Sequence, residues 1–392
     1  MSAKEKIFEQ FQNGSLANKT AQEICKILQI PYREKNRLIS LLNELVKEEK
    51  IFTNDGGRYG TSAQLGLIKG QIVGNKGGYA FLVPEDKERF QNDFFIPKKS
   101  LRGAYHNDIV LAERVFGTQD KVCVTHILSR GNTQIVGTFR KDRHAGYLFP
   151  DDTRFSTELF IPLSDCYHIK NGVKAVAKIT EYPFKKSPAA KIIEVLGDED
   201  DFFAEELSII RAYDLKESFP PQVEEEAQKQ QARGISPQDL CSRRDFRDQL
   251  IVTIDGEDTR DIDDAVTLQK QGEEYLLGVH IADVSHYVQA KSPLDKEAFE
   301  RGTSVYFPDR VLPMLPKALS NGICSLNENE ERLTLSCLMT IDKKGNVIAS
   351  EIVEGVIKSA HKLTYHEIDQ MLEGDKEICE KHPERCISGV SW

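Results

Sequence analysis

Two copies of one strand pattern occupy the middle of this chain, and they constrain its fold more than any other feature. Each copy has short segments of β-branched and aromatic residues separated by Gly, Asn and Asp. The paired segments follow the same order in both copies: GQIVG and IVGT, GGYAFLVP and AGYLFP, DFFIP and ELFIP. Short strands at this spacing predict two consecutive small β-barrels, over residues 66–130 and 131–197.

The order of these elements resembles tandem cold-shock-type oligonucleotide-binding (OB) barrels. Aromatic residues alternate along one strand of each copy, so Tyr79 shares a strand face with Phe81, and Tyr147 with Phe149. Such barrels expose aromatics that stack on bases, whereas strand aromatics in general are usually core residues. Both interpretations stay open here. The nearby basic residues that would meet phosphates are Lys76, Arg140, Lys141 and Arg143.

Residues 1–65 predict a small helical domain that ends in a hairpin. Thr20 opens a second helix through a capping box with Glu23, and apolar residues from Leu38 to Val46 mark a third. The turn NDGG then separates two short strands. This pattern resembles a winged helix-turn-helix. Such domains bind nucleic acid but also dock proteins, and the sequence does not choose between these roles.

Charge is unevenly distributed, although the net charge is −10. Residues 67–197 hold 20 Lys and Arg against 14 Asp and Glu, and residues 1–66 hold 10 against 8, so residues 198–392 carry −18. A basic front half joined to an acidic back half suggests a polyanion-binding portion next to a part that requires carboxylates. The stretch 198–244 is predicted to be an acidic linker, either a solvated helix or a hinge.

Targeting and redox features are plain. No stretch approaches twenty apolar residues, which predicts no membrane span, and the N-terminus lacks an apolar signal core. The eight cysteines show no CxxC spacing, so neither a disulfide framework nor a zinc knuckle has support. We therefore expect a cytoplasmic location with reduced thiols.

The run DGEDTRDIDDA, residues 255–265, lies between two predicted buried strands. On an extended chain Asp261 and Asp263 share one face and Asp264 points away. Gly256 lets the backbone fold so that Asp255 approaches them. Converging carboxylates need a cation, and oxygen ligands select Mg²⁺, Mn²⁺ or Ca²⁺.

The spacing does not fit an EF-hand calcium loop. Paired Mg²⁺ ions about 4 Å apart are a standard way to stabilise attack on a phosphodiester. The alternative for an acidic run of this kind is a solvated surface turn.

This run resembles the signature of the ribonuclease II/ribonuclease R (RNB) family of 3′→5′ exoribonucleases. Further matching segments follow in order: IADVS, RGTSVYFP, LPMLP and LSNGICSL. The likeness extends to about residue 384 and implies an incomplete α+β catalytic RNB domain over residues 245–392. The wing-bearing front domain favours the ribonuclease R branch.

The resemblance implies roles for individual residues. Asp255, Asp261, Asp263 and Asp264 would bind Mg²⁺, with Mn²⁺ as an alternative. Of these, Asp261 and above all Asp263 would be catalytic, the latter organising a second metal and the attacking water. Tyr306 would stack on the 3′ end of single-stranded RNA. Its alternative role is that of a core tyrosine between Val305 and Phe307.

Two departures from the family pattern stand out. The family's active site also uses an Arg and a Glu from the second half of the catalytic domain, and a further OB domain clamps the RNA. Neither precedes Trp392, and the likeness stops at about residue 384, as in a truncated or frameshifted product. We therefore expect the isolated chain to bind RNA but to degrade it negligibly.

The resemblance implies a hydrolase that releases nucleoside 5′-monophosphates processively from RNA. Two other classes compete with it: an RNA-binding module without turnover, and a transcription factor led by the winged helix. The clustered aspartates separate the first class from the others, because a binder or regulator has no use for them. Association with the ribosome or the RNA-decay machinery, and the oligomeric state, stay open.

Overall fold

The structure is a computed structural model that describes residues 2–183 and 186–373. It divides into two compact units, Met1–Asp214 and Leu215–Trp392. The predicted loss of family likeness after residue 384 lies outside the described residues. Among the helices of the described ranges, none combines the length and apolarity needed to cross a membrane.

The first unit begins with a winged helical domain. Its sheet has the strand order β1-β3-β2, and Phe11, Ile24 and Leu42 lie in its buried core. The predicted capping box is present, since the Thr20 hydroxyl accepts a hydrogen bond from the Glu23 backbone N–H. The elements are α1 (Ala3–Gln12), β1 (Lys19–Thr20), α2 (Ala21–Ile27), a 3-10 turn (Tyr32–Glu34), α3 (Lys35–Lys47), β2 (Phe52–Thr53) and β3 (Arg58–Gly60).

Two five-stranded barrels follow, as the repeat predicts. The first contains β4 (Ile68–Gly74), β5 (Ala80–Pro84), β6 (Phe94–Ile96), a 3-10 turn (Lys98–Ser100), β7 (Ile109–Arg114) and β8 (Val122–Ser129). The second contains β9 (Gln134–Lys141), β10 (Ala145–Pro150), β11 (Leu159–Pro162), α4 (Leu163–Cys166), β12 (Val173–Glu181) and β13 (Ala189–Asp198). Strand neighbours are the same in both copies: β6-β5-β4-β7-β8 and β11-β10-β9-β12-β13.

Each barrel is closed at one equivalent phenylalanine. The Phe95 N–H donates to the Asp120 carbonyl at 2.8 Å, and the Phe160 N–H donates to the Pro188 carbonyl at 2.8 Å. In the second copy Phe160 pairs in parallel with Ala189 of β13, and in the first Phe95 makes an isolated parallel bridge with Lys121, the residue before β8. The repeat therefore extends to the way the two barrels close.

Residues 198–244 contain helices, as one of the two predicted alternatives for this stretch has it, but these helices are packed on other elements instead of being solvated all round. Helix α5 (Phe202–Ala212) packs on the second barrel and buries Ala204 and Ile210. Helix α6 (Pro221–Arg233) begins in the second unit and buries Val223 and Ala227 in that unit's core. The acidic composition correctly indicates that most of each helix surface is exposed. It does not indicate the narrow apolar face by which each helix packs.

The second unit is built on a seven-stranded sheet of order β14-β21-β20-β17-β16-β15-β22. The two buried strands that the sequence predicts on either side of the acidic run are both present, at residues 252–255 and 264–271. The strands are β14 (Arg244–Asp245), β15 (Val252–Asp255), β16 (Asp264–Gln271), β17 (Glu274–Ala282), β18 (Val305–Tyr306), β19 (Val311–Leu312), β20 (Glu331–Ile341), β21 (Val347–Lys358) and β22 (His361–Thr364). After α6, the helices are α7 (Pro237–Cys241), α8 (Val284–Tyr287), α9 (Pro293–Arg301), a π-helical turn (Ala318–Ile323) and α10 (Tyr365–Glu373).

Candidate active site and aromatic barrel faces

The acidic run connects two neighbouring strands in the interior of the seven-stranded sheet. Asp255 is the last residue of β15, and Asp264 is the first residue of β16. Asp261 and Asp263 lie in the intervening loop, on either side of Ile262, which is buried in the core. Burial of Ile262 fixes the alternation, so that the two flanking aspartates point away from the core, as the extended-chain argument predicts.

Ser325 and Lys362 hold this loop in place. The Ser325 hydroxyl accepts a hydrogen bond from the Ile262 N–H at 3.1 Å and donates to the Arg260 carbonyl at 2.8 Å. Lys362 donates to the Thr259 carbonyl at 2.5 Å from β22, the strand parallel to β15. These contacts remove freedom from the loop that carries the carboxylates, a requirement for a preorganised site.

Arg332 supports Ser325 in turn. Its buried guanidinium donates to the Ser325 carbonyl at 2.7 Å and to the Gly322 carbonyl at 3.2 Å. A second buried cation, Arg243, pairs with Asp283 at 2.5 Å. The sequence drew attention to LSNGICSL and IADVS, which contain Ser325 and Asp283, but it assigned no task to either residue.

Two of the four aspartates, Asp255 and Asp263, have a raised pKa. Partial burial and the neighbouring Asp264 carboxylate raise the pKa of Asp255, while Lys362 opposes that rise. Partial burial raises the pKa of Asp263 as well, together with repulsion from Asp261 and Asp264. Oxygen donors that repel one another in this way fit a hard divalent cation by their chemistry.

The carboxylates do not form a ready-made coordination shell. In residues 2–183 and 186–373, no group of three or more His, Cys, Asp or Glu side chains is arranged to hold a metal ion. Repulsion among carboxylates disfavours such a shell when no cation is bound. The assignment of Mg²⁺ or Mn²⁺ to Asp255, Asp261, Asp263 and Asp264 therefore stays a prediction.

Tyr306 lies beside the carboxylates rather than in the core. Its side chain is 64% exposed, and its hydroxyl donates to Asp261 Oδ2 at 2.5 Å. This hydrogen bond and partial burial raise the pKa of Tyr306 to about 12. The alternative of a core tyrosine packed between its strand neighbours is wrong. Stacking on RNA stays a prediction.

The barrel aromatics form an outward-facing cluster on each copy. Phe81 is 38% exposed and Phe149 is 49% exposed, while Tyr79 and Tyr147 are half-buried. The core alternative is therefore wrong for the two phenylalanines. Sequence reasoning missed one further member of each cluster, the closing phenylalanines Phe95 and Phe160. They pair directly with Phe81 and Tyr147 across the strands, and their equivalent places in DFFIP and ELFIP were the available signal.

The four predicted basic residues differ in their availability. Lys76 and Arg143 are exposed. Arg140 lies opposite Tyr147 on the aromatic face, but it is paired with Glu199 at 2.9 and 2.8 Å. Lys141 donates to the Tyr167 carbonyl at 2.6 Å. Two of the four residues are thus engaged within the chain.

Three domain families match this chain. Residues 70–123 match the Ribonuclease B OB domain, residues 147–220 the Cold shock domain, and residues 243–385 the RNB domain. The first two matches fall on the two barrels and the third on the sheet that carries the aspartates. The predicted multidomain fold class, with OB barrels and an RNB domain, is confirmed.

Relatives extend this likeness over most of the chain. Ribonuclease R of Thermotoga maritima is 40% identical over 373 residues, which cover 92% of this chain and 51% of that protein. Ribonuclease R of Acidithiobacillus ferrooxidans is 33% identical over 365 residues, which cover 92% of this chain and 82% of the relative.

Solved structures of Mycoplasma genitalium RNase R share the fold. The apo form matches with a TM-score of 0.70 and 25% identity, over 80% of this chain and 51% of that one. Its complex with double-stranded RNA matches with a TM-score of 0.57 and 26% identity, over 63% of this chain and 44% of that one. This chain spans about half the length of the first curated relatives it matches. With the aspartate loop in its sheet and a ribonuclease R relative matched over most of its length, the chain belongs to the ribonuclease R family of 3′→5′ exoribonucleases.

Proposed function

We propose that this chain supplies RNA-binding and metal-binding parts of a 3′→5′ exoribonuclease that hydrolyses single-stranded RNA processively to nucleoside 5′-monophosphates. Asp255, Asp261, Asp263 and Asp264 would hold Mg²⁺ or Mn²⁺. When bound, such an ion activates water and stabilises negative charge on the phosphodiester. The observation that carries this proposal is the run of four carboxylates between the end of β15 and the start of β16, where partial burial and the neighbouring carboxylates raise the pKa of Asp255 and of Asp263.

The chain's own residues perform the positioning. Ser325 and Lys362 fix the loop through its carbonyls and one N–H, so the aspartates do not have to be ordered when substrate arrives. Tyr306 places an exposed ring next to Asp261. A terminal nucleotide stacked on that ring would present its phosphodiester to the carboxylates.

The barrels would hold the RNA upstream. The rings of Tyr79, Phe81 and Phe95 contact one another on the first barrel. On the second barrel Tyr147 contacts Phe160, and Phe149 is exposed on the same strand face as Tyr147. Base stacking on such rings contributes about 1–3 kcal/mol per base with little sequence preference. A relative in this family has been solved with RNA bound, which supports RNA as the ligand.

A second function has one observation in its favour. Because the described residues contain no ready metal-binding group, the chain also fits an RNA-binding module without turnover. The two functions differ in whether the carboxylates bind a divalent ion.

Calorimetry with Mn²⁺ tests the metal site. We expect saturable binding that Asp263→Asn and Asp264→Asn each weaken at least tenfold. Asp258→Asn is the matched control, because Asp258 is an exposed member of the same acidic run outside the four. Equal effects of all three substitutions, or no Mn²⁺ binding, would contradict the metal assignment.

Nucleotide release then separates the functions. A 5′-labelled RNA with a single-stranded 3′ tail is incubated with the chain and Mg²⁺, and shortening from the 3′ end is followed. Release that Asp263→Asn abolishes and Asp258→Asn preserves supports hydrolysis. RNA binding with neither metal binding nor release supports the binding module.

A further inference from the structure

A cavity of about 140 Å³ lies between the two barrels, away from the aspartate loop. Its polar lining comes from both barrels. The first barrel contributes Tyr79, Lys98 and His106, and the loop between β10 and β11 of the second contributes Arg154, Ser156 and Thr157. The volume suits one tetrahedral oxyanion and is small for a complete nucleotide.

The two barrels approach each other closely at this cavity. A Cβ atom added to Gly74 of β4 would lie 2.1 Å from the carbonyl oxygen of Arg154. Only glycine permits this approach, because a real Cβ atom never comes so near a carbonyl oxygen. The wall of the cavity is therefore fixed by direct backbone contact between the copies.

His106 supplies a buried donor that lacks an acceptor. Its side chain is 4% exposed. Nδ1 accepts a hydrogen bond from the Gly74 N–H at 3.3 Å, so the proton of the neutral ring resides on Nε2. Among the described residues Nε2 has no hydrogen-bond partner; the Asp152 carboxylate is 3.7 Å away. A buried N–H group without an acceptor is unfavourable, and a ligand oxygen would satisfy it.

Burial and the positive charge of Arg154 favour the neutral ring, because they lower the pKa of His106, while Asp152 and the Ile72 backbone act in the opposite direction. A neutral imidazole with its proton on Nε2 donates one hydrogen bond without requiring protonation.

Two cations border the cavity. Lys98 belongs to the 3-10 turn after β6, and its side chain runs over Gly78. Arg154 is oriented by Asp152, which accepts from its Nε and Nη2 at 2.9 Å each. Ser156 and Thr157 add hydroxyl groups. An N–H donor, hydroxyls and two cations around so small a volume match the needs of a phosphate group.

We propose that this cavity binds one phosphate group, with His106 Nε2 as its buried donor and Lys98 and Arg154 as its cations. The phosphate has two sources: free phosphate, or the backbone of a single-stranded RNA. Tyr79 belongs both to the aromatic cluster of the first barrel and to the cavity lining, so a strand crossing that cluster brings its backbone to the cavity. Only this second source rests on the proposed RNA-binding function.

NMR of the chain labelled with ¹⁵N-histidine reports on His106 directly. The chain is titrated with inorganic phosphate alone and, separately, with a single-stranded RNA that lacks terminal phosphates. We expect a saturable shift of the His106 Nε2 resonance. A shift with inorganic phosphate identifies a free-anion site, and a shift with RNA alone identifies a backbone site. No shift with either ligand overturns the proposal.

Substitutions on the rim separate direct from indirect effects. We expect Lys98→Gln and Arg154→Gln each to lower the affinity for the ligand, obtained from the titration of the His106 Nε2 shift, at least fivefold. Lys99→Gln is the matched control, because Lys99 is the next residue of the same turn and does not line the cavity. Asp152→Asn should strengthen binding, since it removes the nearest negative charge.

Equal responses of Lys98→Gln and Lys99→Gln would sink the proposal, and so would an undiminished His106 shift in Lys98→Gln. Failure of RNA binding with an intact phosphate response would instead refute the proposed function and leave the cavity site standing.

Discussion

The Tyr306 side chain has two separable features, an exposed ring and a hydroxyl that binds Asp261. The hydroxyl holds one carboxylate in place, while the ring is free to meet a base. A phenylalanine keeps the ring and loses the hydroxyl, and an alanine loses both. Substitution therefore distinguishes stacking from positioning.

We expect Tyr306→Ala to weaken contact with the terminal base by about 1–3 kcal/mol and Tyr306→Phe to preserve it. Fluorescence of 2-aminopurine placed at the RNA 3′ terminus measures this contact, because stacking quenches the probe. If Phe and Ala variants lose quenching equally, the hydroxyl and not the ring is the contact that matters.

The sequence predicts which way the aspartates point, but it does not predict which residues hold their loop in place. The alternation around Ile262 follows from one apolar residue between two acids. The groups that hold the loop do not, because Ser325 lies 63 residues from Ile262 and Lys362 lies 103 residues from Thr259. Local pattern carries no information about contacts at that separation. The exposure of Tyr306 was hidden for the same reason, since its partner Asp261 lies 45 residues away in the chain.

Segment 198–212 makes ion pairs that its acidic composition does not predict. Its acids pair with cations of the second barrel: Glu199 with Arg140, Asp198 with Lys170, and Glu205 with Lys174. Composition predicted a solvated linker because charge reports exposure and not what an exposed face touches. The acids thus pair with cations that would otherwise be open to other anions.

Removing one of these acids should strengthen RNA binding. We expect Glu199→Gln to free Arg140 and to tighten binding of single-stranded RNA up to about fivefold at low salt, the range set by an exposed ion pair. One added phosphate contact should also steepen the dependence of log K on log salt by about 0.7. Fluorescence anisotropy at several salt concentrations measures both quantities.

Glu225→Gln serves as the control. Glu225 is an exposed acid, and within the described part of the chain its ion-pair partner is Lys229 on the same helix. An equal gain from both substitutions would show a general charge effect and exclude specific competition for Arg140.

For the whole molecule, the sequence repeat was the most reliable guide. It predicted two barrels, and the structure shows the same strand neighbours in both. Their side-chain pattern was informative because strands such as β4, β5 and β11 alternate buried residues with more exposed ones, a period that is visible in sequence. The cavity between the barrels was not predictable, because it depends on how Gly74 of one copy meets Arg154 of the other.

The closing phenylalanines give the barrels a thermodynamic property beyond their shape. Phe95 and Phe160 each donate the backbone hydrogen bond that closes a barrel, and each presents its ring to the aromatic cluster. A base stacked on either ring favours the closed state over the opened one by mass action. Their amide protons should therefore exchange with solvent more slowly when RNA is bound, by the factor 1 + [RNA]/Kd, as hydrogen-exchange mass spectrometry or NMR would measure. In that case the fraction of barrels in the closed state rises with the fraction that has RNA bound, so bound nucleic acid contributes to the stability of the barrel fold.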